Sequence, residues 1–180
     1  MRVGILRAMV ETDPEAVLIT GAYGTGKSSV AAEMAEVLDA RDVPLAAIDL
    51  DWLIWANVPD SHGEAGNRLM LANLAPMVGN YRAAGLTRFI LAGSLTSADE
   101  RDRLRDTLGM PVRVVRLTLP VEEIERRLAS DPTSGRRDDL VQARRQVADE
   151  VGFGLEDLAV ANDRPIGEVA TEIIGWLGWA

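Results

Sequence analysis

The chain has 180 residues, 47% of them hydrophobic, and a formal net charge of −9. That length suits one domain, residues 1–180, with a sizeable core. The lack of cysteine excludes a disulfide framework and a thiolate metal site. No apolar stretch approaches membrane-spanning length, and the acidity weighs against nucleic-acid and anionic-membrane partners, which need a basic footprint. With no apolar signal-peptide block at the start, a cytoplasmic location is expected.

Residues Met1 to Pro14 read as an irregular leader. Ala16–Thr20 is a short apolar, partly β-branched run, as expected of a buried parallel strand. A glycine-rich turn follows, and then a helix near Lys27–Ala40, with Val30, Met34, Val37 and Leu38 on one face and Glu33 and Glu36 on another. Pro44–Asp49 reads as the second strand. A long polar and aromatic stretch runs from Asp51 to Gly66. The pattern predicts a helix over Arg68–Ala84, ended by Gly85, and a third strand over Arg88–Ala92. Ser97 or Asp99 caps a short helix through Leu108. Val112–Leu117 is the fourth strand, and Val121–Ala129 the next helix. Breakers fill Asp131–Gly135. Asp138 or Asp139 caps a helix to about Glu150. Leu158–Ala161 is the fifth strand, and Pro165 opens the last helix, to about Trp176. Strands alternating with helices predict a parallel α/β sheet covered on both faces. In such sheets ligands bind beyond the carboxyl ends of the strands.

The strongest signal lies just beyond the first strand. Gly21-Ala22-Tyr23-Gly24-Thr25-Gly26-Lys27-Ser28 matches the phosphate-binding pattern G-x-x-x-x-G-K-[ST]. Lys27 is the sole lysine; every other basic residue is arginine. Glycines let the backbone curl with its N–H groups inward around a polyphosphate. Ser29 follows at the N-terminus of the helix, whose dipole favours the phosphates. Lys27 is a point charge suited to the β- and γ-phosphates, and the Ser28 hydroxyl to Mg²⁺. These residues predict binding of ATP with Mg²⁺. A guanine-reading N-K-x-D needs a second lysine, so a GTPase of that form is excluded.

Beyond the second strand stands Asp49-Leu50-Asp51-Trp52. In an extended segment Asp49 and Asp51 share one side. Two carboxylates beside Mg²⁺ suit two tasks: holding the metal or its waters, and orienting or deprotonating an acceptor hydroxyl. No aspartate ends the third strand, where Gly93-Ser94 stands, so Asp49 leads as the metal-side acid by elimination. Beyond the fourth strand, Arg126, Arg127, Arg136 and Arg137 flank the breaker loop, and guanidiniums suit a transferring phosphoryl group. A loop of this kind between two helices reads as a lid over approximately residues 126–140. Arg101, Arg103, Arg105, Arg144 and Arg145 read as solvated helix faces. Asn162-Asp163-Arg164-Pro165 is either an adenine contact or a plain strand-to-helix turn. Trp52 and Trp55 are either a substrate-binding wall or core. His62 reads as a surface loop residue.

With these motifs the chain resembles the small P-loop kinases: the adenylate, shikimate, gluconate and adenylylsulfate kinase group, including small antibiotic phosphotransferases. The matching features are Gly21 to Ser28, Asp49-x-Asp51, and the arginine-bearing segment from Arg126 to Arg137. The resemblance implies a three-layer P-loop NTPase fold with a five-stranded parallel sheet in the order 2-3-1-4-5, a small lid over ATP, and an acceptor site between the second helix and the sheet. It assigns Asp49 to Mg²⁺ alongside Ser28, and Asp51 to the acceptor. The implied activity is transfer of the γ-phosphoryl group to a hydroxyl or phosphate of a small molecule: a metabolite, nucleotide or antibiotic. The expected catalytic residues are Lys27, Asp51, Arg127 and Arg137; Arg126 joins the loop residues in holding the nucleotide. A regulatory ATP-binding protein or ATPase without a small acceptor is the alternative. The chain departs from adenylate kinases in lacking an Asp-Gly after the third strand.

Overall fold

The computed structural model describes residues 13–56, 63–130, 137–149 and 152–179. Five parallel strands form one sheet in the order β2-β3-β1-β4-β5. They are β1 (Glu15–Gly21), β2 (Leu45–Asp49), β3 (Arg88–Ala92), β4 (Val112–Thr118) and β5 (Leu158–Ala161). The helices are α1 (Lys27–Asp39), α2 (Glu64–Ala83), α3 (Ala98–Leu108), α4 (Val121–Ser130), α5 (Arg137–Ala148) and α6 (Ile166–Leu177).

Strand periodicity sorts the core into two layers. Val17 and Ile19 of β1 face one side, with Val115 and Leu117 of β4, against Val30, Met34 and Leu38 of α1 and Ile173 and Ile174 of α6. Ala16 and Leu18 face the other, with Phe89 and Leu91, against Leu74 and Val78 of α2 and Leu104 and Leu108 of α3. Both faces of β1 are buried, which is why its sequence is an unbroken apolar run rather than an alternating one. A third, smaller cluster joins Ile124 and Leu128 of α4 to Ala143 of α5, with Ala22 and Tyr23 packed against it. Among the described residues no helix is long and apolar enough to cross a membrane.

Several boundaries differ from the sequence expectation. The stretch after β2 opens with a 3₁₀ helix, Leu50–Ile54, capped by the Asp49 side chain. Helix α2 starts at Glu64, four residues before the expected Arg68, where an acidic side chain suits the positive end of the helix dipole. Helix α5 starts at Arg137, ahead of Asp138 and Asp139. Pro165 is the N-cap of α6 rather than its first helical residue. The cap of α3 is Ser97, whose side chain accepts from the Glu100 N–H. Most of the leader Met1–Pro14, His62, Arg136 and the centre of the expected lid lie outside the described residues.

Candidate functional site

Residues Gly21 to Ser28 run from the end of β1 into the first turn of α1 as a tight loop. The Thr25 hydroxyl donates to the Ala22 carbonyl at 2.8 Å, and the Thr25 N–H reaches the same oxygen at 3.2 Å. Gly24 and Gly26 have φ of +82° and +92°, the left-handed region that L side chains avoid. Close packing forbids a side chain there too. A Cβ on Gly24 lies 2.9 Å from Ile124 Cγ2, and one on Gly26 lies 2.7 Å from Asn162 Nδ2. Helix α4 and the end of β5 thus press directly on the loop.

Lys27 folds back across this loop. Its Nζ donates to the carbonyls of Gly21 and Ala22 at 3.2 and 3.3 Å. Burial pulls its pKa below the ordinary lysine value, opposed by the charges of Asp51 and Asp49. The ammonium is therefore enclosed in the loop with two carboxylates in its field. The Ser28 hydroxyl donates to Asp49 Oδ2 at 2.6 Å, so the two expected metal-side residues touch although 21 positions separate them. Parallel pairing of β2 and β3, and of β3 and β1, carries Asp49 to the same end of the sheet as the loop.

Asp51 reaches the site by a different route from the one the sequence suggested. It is not part of an extended strand: Asp49 Oδ1 accepts the Asp51 N–H at 3.0 Å and turns the chain into the 3₁₀ helix. Gly93 has a packing reason, since a Cβ there would stand 2.9 Å from Leu50 Cδ1. Trp52 and Trp55 are not core. They are 68% and 77% exposed and stack on each other at a centroid distance of 4.8 Å.

Against the loop lies a cleft of about 410 Å³ lined by Gly24, Gly26, Ser29, Arg127, Asn162 and Arg164, with Leu128 and Ile166 as its apolar part. Arg127 is held in place by Glu123, at 3.1 Å from its Nε, and by the Asn162 carbonyl, at 2.7 Å from its Nη2. Arg126 is exposed and forms two hydrogen bonds to Glu123, at 3.0 and 2.7 Å, without lining the cleft. Hydrogen bonds from Arg126 and Arg127 hold the Glu123 carboxyl below its usual range. Arg137 begins α5. Arg101 and Arg103 are less solvated than a free helix face: Arg101 Nη1 reaches the Leu155 carbonyl at 3.4 Å, and Arg103 pairs with Asp99 at 3.0 Å.

Two supporting residues carried little sequence signal. Asn162 is buried and donates from Nδ2 to the Thr25 carbonyl at 2.8 Å, so the turn after β5 clamps the loop. Its position just beyond a strand was the available clue. Gln146 of α5 accepts the Tyr23 N–H at 2.7 Å. It shares a helix face with Leu140, Ala143 and Val147 at i, i+3 and i+4 spacing, so a polar residue on an apolar stripe was the clue. Among the described residues, no group of three or more His, Cys, Asp or Glu side chains could hold a metal ion unaided.

No protein-family model matches the sequence, and no curated protein matches it. Solved structures do. A gluconokinase from Sinorhizobium meliloti aligns at TM-score 0.65 and 21% identity over 92% of each chain. A Janibacter sugar kinase aligns at 0.65 and 20% identity, over 94% of this chain and 96% of that one. The APS kinase of Mycobacterium tuberculosis, solved with AMPPNP and APS, aligns at 0.58 and 23% identity, over 92% and 98%. At these identities the likeness is one of fold. The strand order, the loop at the end of β1 and the helices on both faces are those of the small P-loop kinases, and the chain has their fold.

Proposed function

We propose that the chain is an ATP-dependent phosphotransferase that moves the γ-phosphoryl group to a hydroxyl or phosphate of a small molecule. The observation that carries this reading is the contact of Ser28 with Asp49 at 2.6 Å, beside an ammonium enclosed by the loop. In this reading the cleft lined by Arg127 and Asn162 takes the nucleotide, and the Asp51 end of β2 takes the acceptor. The fold shared with kinases of gluconate and APS, with a shikimate kinase and with a tunicamycin resistance protein supports the same class of reaction.

The nucleoside occupies the cleft, its phosphates running along the loop towards Lys27. Loop N–H groups and the α1 N-terminus bind the polyphosphate. Lys27 donates to the β- and γ-phosphate oxygens, releasing its bonds to Gly21 and Ala22. A hydroxyl and a carboxylate meeting at a helix N-terminus form a hard oxygen donor set, which fits Mg²⁺ shared with phosphate oxygens. Ser28 and Asp49 would hold that ion, directly or through water, and it would neutralise charge developing on the phosphoryl group. Asp51 orients the acceptor hydroxyl and takes its proton as the new O–P bond forms and ADP leaves. Arg127, with Arg137 from the lid segment, balances the moving charge; Arg126 assists in holding the nucleotide. Trp52 and Trp55 wall the acceptor. Catalysis is then positioning plus electrostatics. Cytoplasmic placement belongs to this reading.

The test is ADP release from ATP and Mg²⁺ across a panel of small-molecule alcohols and phosphates. Strong stimulation by one class, lost in Lys27→Ala, is expected. Turnover raised only by a protein or a nucleic acid would leave the regulatory ATPase as the better reading.

A further inference from the structure

A trans peptide unit is planar, so its C=O and N–H point in opposite directions. The unit joining Ala22 to Tyr23 is held from both sides. On one side the Ala22 carbonyl accepts from Lys27 Nζ at 3.3 Å, from the Thr25 hydroxyl at 2.8 Å and from the Thr25 N–H at 3.2 Å. On the other, the Tyr23 N–H donates to Gln146 Oε1 of α5 at 2.7 Å. A flip of this unit would exchange the two groups and take one carbonyl away from Lys27, leaving that of Gly21.

Packing aims Gln146 at the loop. Ala143, one helical turn earlier, is buried with Ile124 and Leu128 of α4, and Leu140 and Val147 of α5 pack against the same cluster. Arg144 ties α5 to Glu125 of α4 at 2.6 Å. Ile124 and Leu128 also close on the loop, where a Cβ on Gly24 would stand 2.9 Å from Ile124 Cγ2 and 3.1 Å from Leu128 Cγ. Ala22 and Tyr23 pack against this cluster as well. Helix α5 and the loop are thus registered on one set of α4 side chains. That register fixes the rotation of α5, and residue 146 is the one whose side chain meets the loop backbone. A glutamine beside an apolar cluster is costly unless its amide is used, and here its oxygen has a backbone donor.

Resting on the phosphotransfer reading above, we propose that Gln146 is a positioning residue: by holding the Tyr23 N–H it turns the Ala22 carbonyl inward, and that carbonyl sets the point from which the Lys27 ammonium meets the β- and γ-phosphates. Gln146 acts through the peptide unit and does not line the nucleotide cleft. Helix α5 thereby governs the sole lysine of the chain through the backbone of the loop.

Composition makes the test direct. The chain has one lysine and two tyrosines, and the second tyrosine, Tyr81, lies in α2. With isotope-labelled lysine and tyrosine, NMR reads Lys27 as a single side-chain signal and Tyr23 as one of two amide signals, Tyr81 serving as the control for folding. In Gln146→Met, which keeps the length and removes the acceptor, the Tyr23 amide is expected to shift and to exchange faster with solvent. The Lys27 signal is expected to move while Tyr81 holds, and the Kd for AMPPNP with Mg²⁺ to rise about tenfold. Gln146→Asn, one methylene short, is expected to move every readout in the same direction. Gln146→Glu, which keeps an acceptor oxygen at the same length, is expected to restore most of each. A side chain that only packs would leave the Lys27 signal in place and would be replaced by methionine better than by glutamate. An unmoved Lys27 signal or an unchanged Kd in both Gln146→Met and Gln146→Asn, with AMPPNP bound by the wild type, overturns this inference and leaves phosphotransfer standing. Failure of the wild type to bind AMPPNP overturns both.

Discussion

Asn162→Ala isolates the clamp between β5 and the phosphate loop. The side chain is 3% exposed, and its Nδ2 donates to the Thr25 carbonyl at 2.8 Å. Truncation removes that donor from a site closed to water. The backbone bonds of residue 162 survive: its N–H to Thr118 at 3.0 Å and its carbonyl to Arg127 Nη2 at 2.7 Å. The variant therefore tests one hydrogen bond and the small cavity left beside it. A buried acceptor losing its partner costs about 1–3 kcal/mol, which in a domain of this size lowers Tm by roughly 3–10 °C. Because Thr25 also anchors the loop to Ala22, the KM for ATP should rise alongside. Thermal melts with and without ATP, and ADP release against ATP concentration, read both effects. The neighbouring exposed Asp163→Ala serves as the control and should stay within about 0.5 kcal/mol of wild type. A Tm within about 1 °C of wild type and an unchanged KM would refute the clamp.

Lys27→Met should abolish turnover yet stabilise the nucleotide-free protein, because burial disfavours the ammonium and lowers its pKa. The penalty is full below the lowered folded pKa and is relieved as pH climbs from there towards the ordinary lysine value. The Tm advantage of Lys27→Met should therefore shrink as pH rises, which melts across alkaline buffers will show; a constant gap would contradict it. Asp51→Asn should lower kcat by about a hundredfold or more as an acid–base partner is lost, measured at saturating ATP and acceptor. Ser28→Ala and Asp49→Asn should each weaken the dependence of turnover on Mg²⁺, and the double variant should lose less than the sum of the two; strict additivity in that cycle would separate the pair. Gly26→Ala should destabilise by about 1–2 kcal/mol from its left-handed backbone alone, with a further loss where the new methyl meets Asn162.

The order of elements and the phosphate loop were legible because both are written in local pattern. A buried parallel strand must be apolar on both faces, as Val17 to Ile19 are, and a loop that curls around phosphates must place Gly21, Gly26 and Lys27 at fixed spacing. The pairing of Asp49 with the loop was legible one step further, through the rule that ligands gather beyond strand ends. Local pattern could not decide between a wall and a core for Trp52 and Trp55, since an indole is compatible with both. The 3₁₀ turn after Asp49 settled their exposure by sending Leu50 and Leu53 inward instead. Nor could it tell Arg127 from Arg126, which differ only by a step of about 100° around α4; packing of α4 on the loop brings one to the cleft and leaves the other in solvent. Asn162 and Gln146 became part of the site only through the sheet order and the α4–α5 packing, which place residues more than a hundred positions apart within hydrogen-bond reach of the same loop. Sequence determines what each segment can be, because side-chain sterics and polarity act locally. Which polar groups meet is decided by how the segments pack, because a hydrogen bond depends on distance in space and not along the chain.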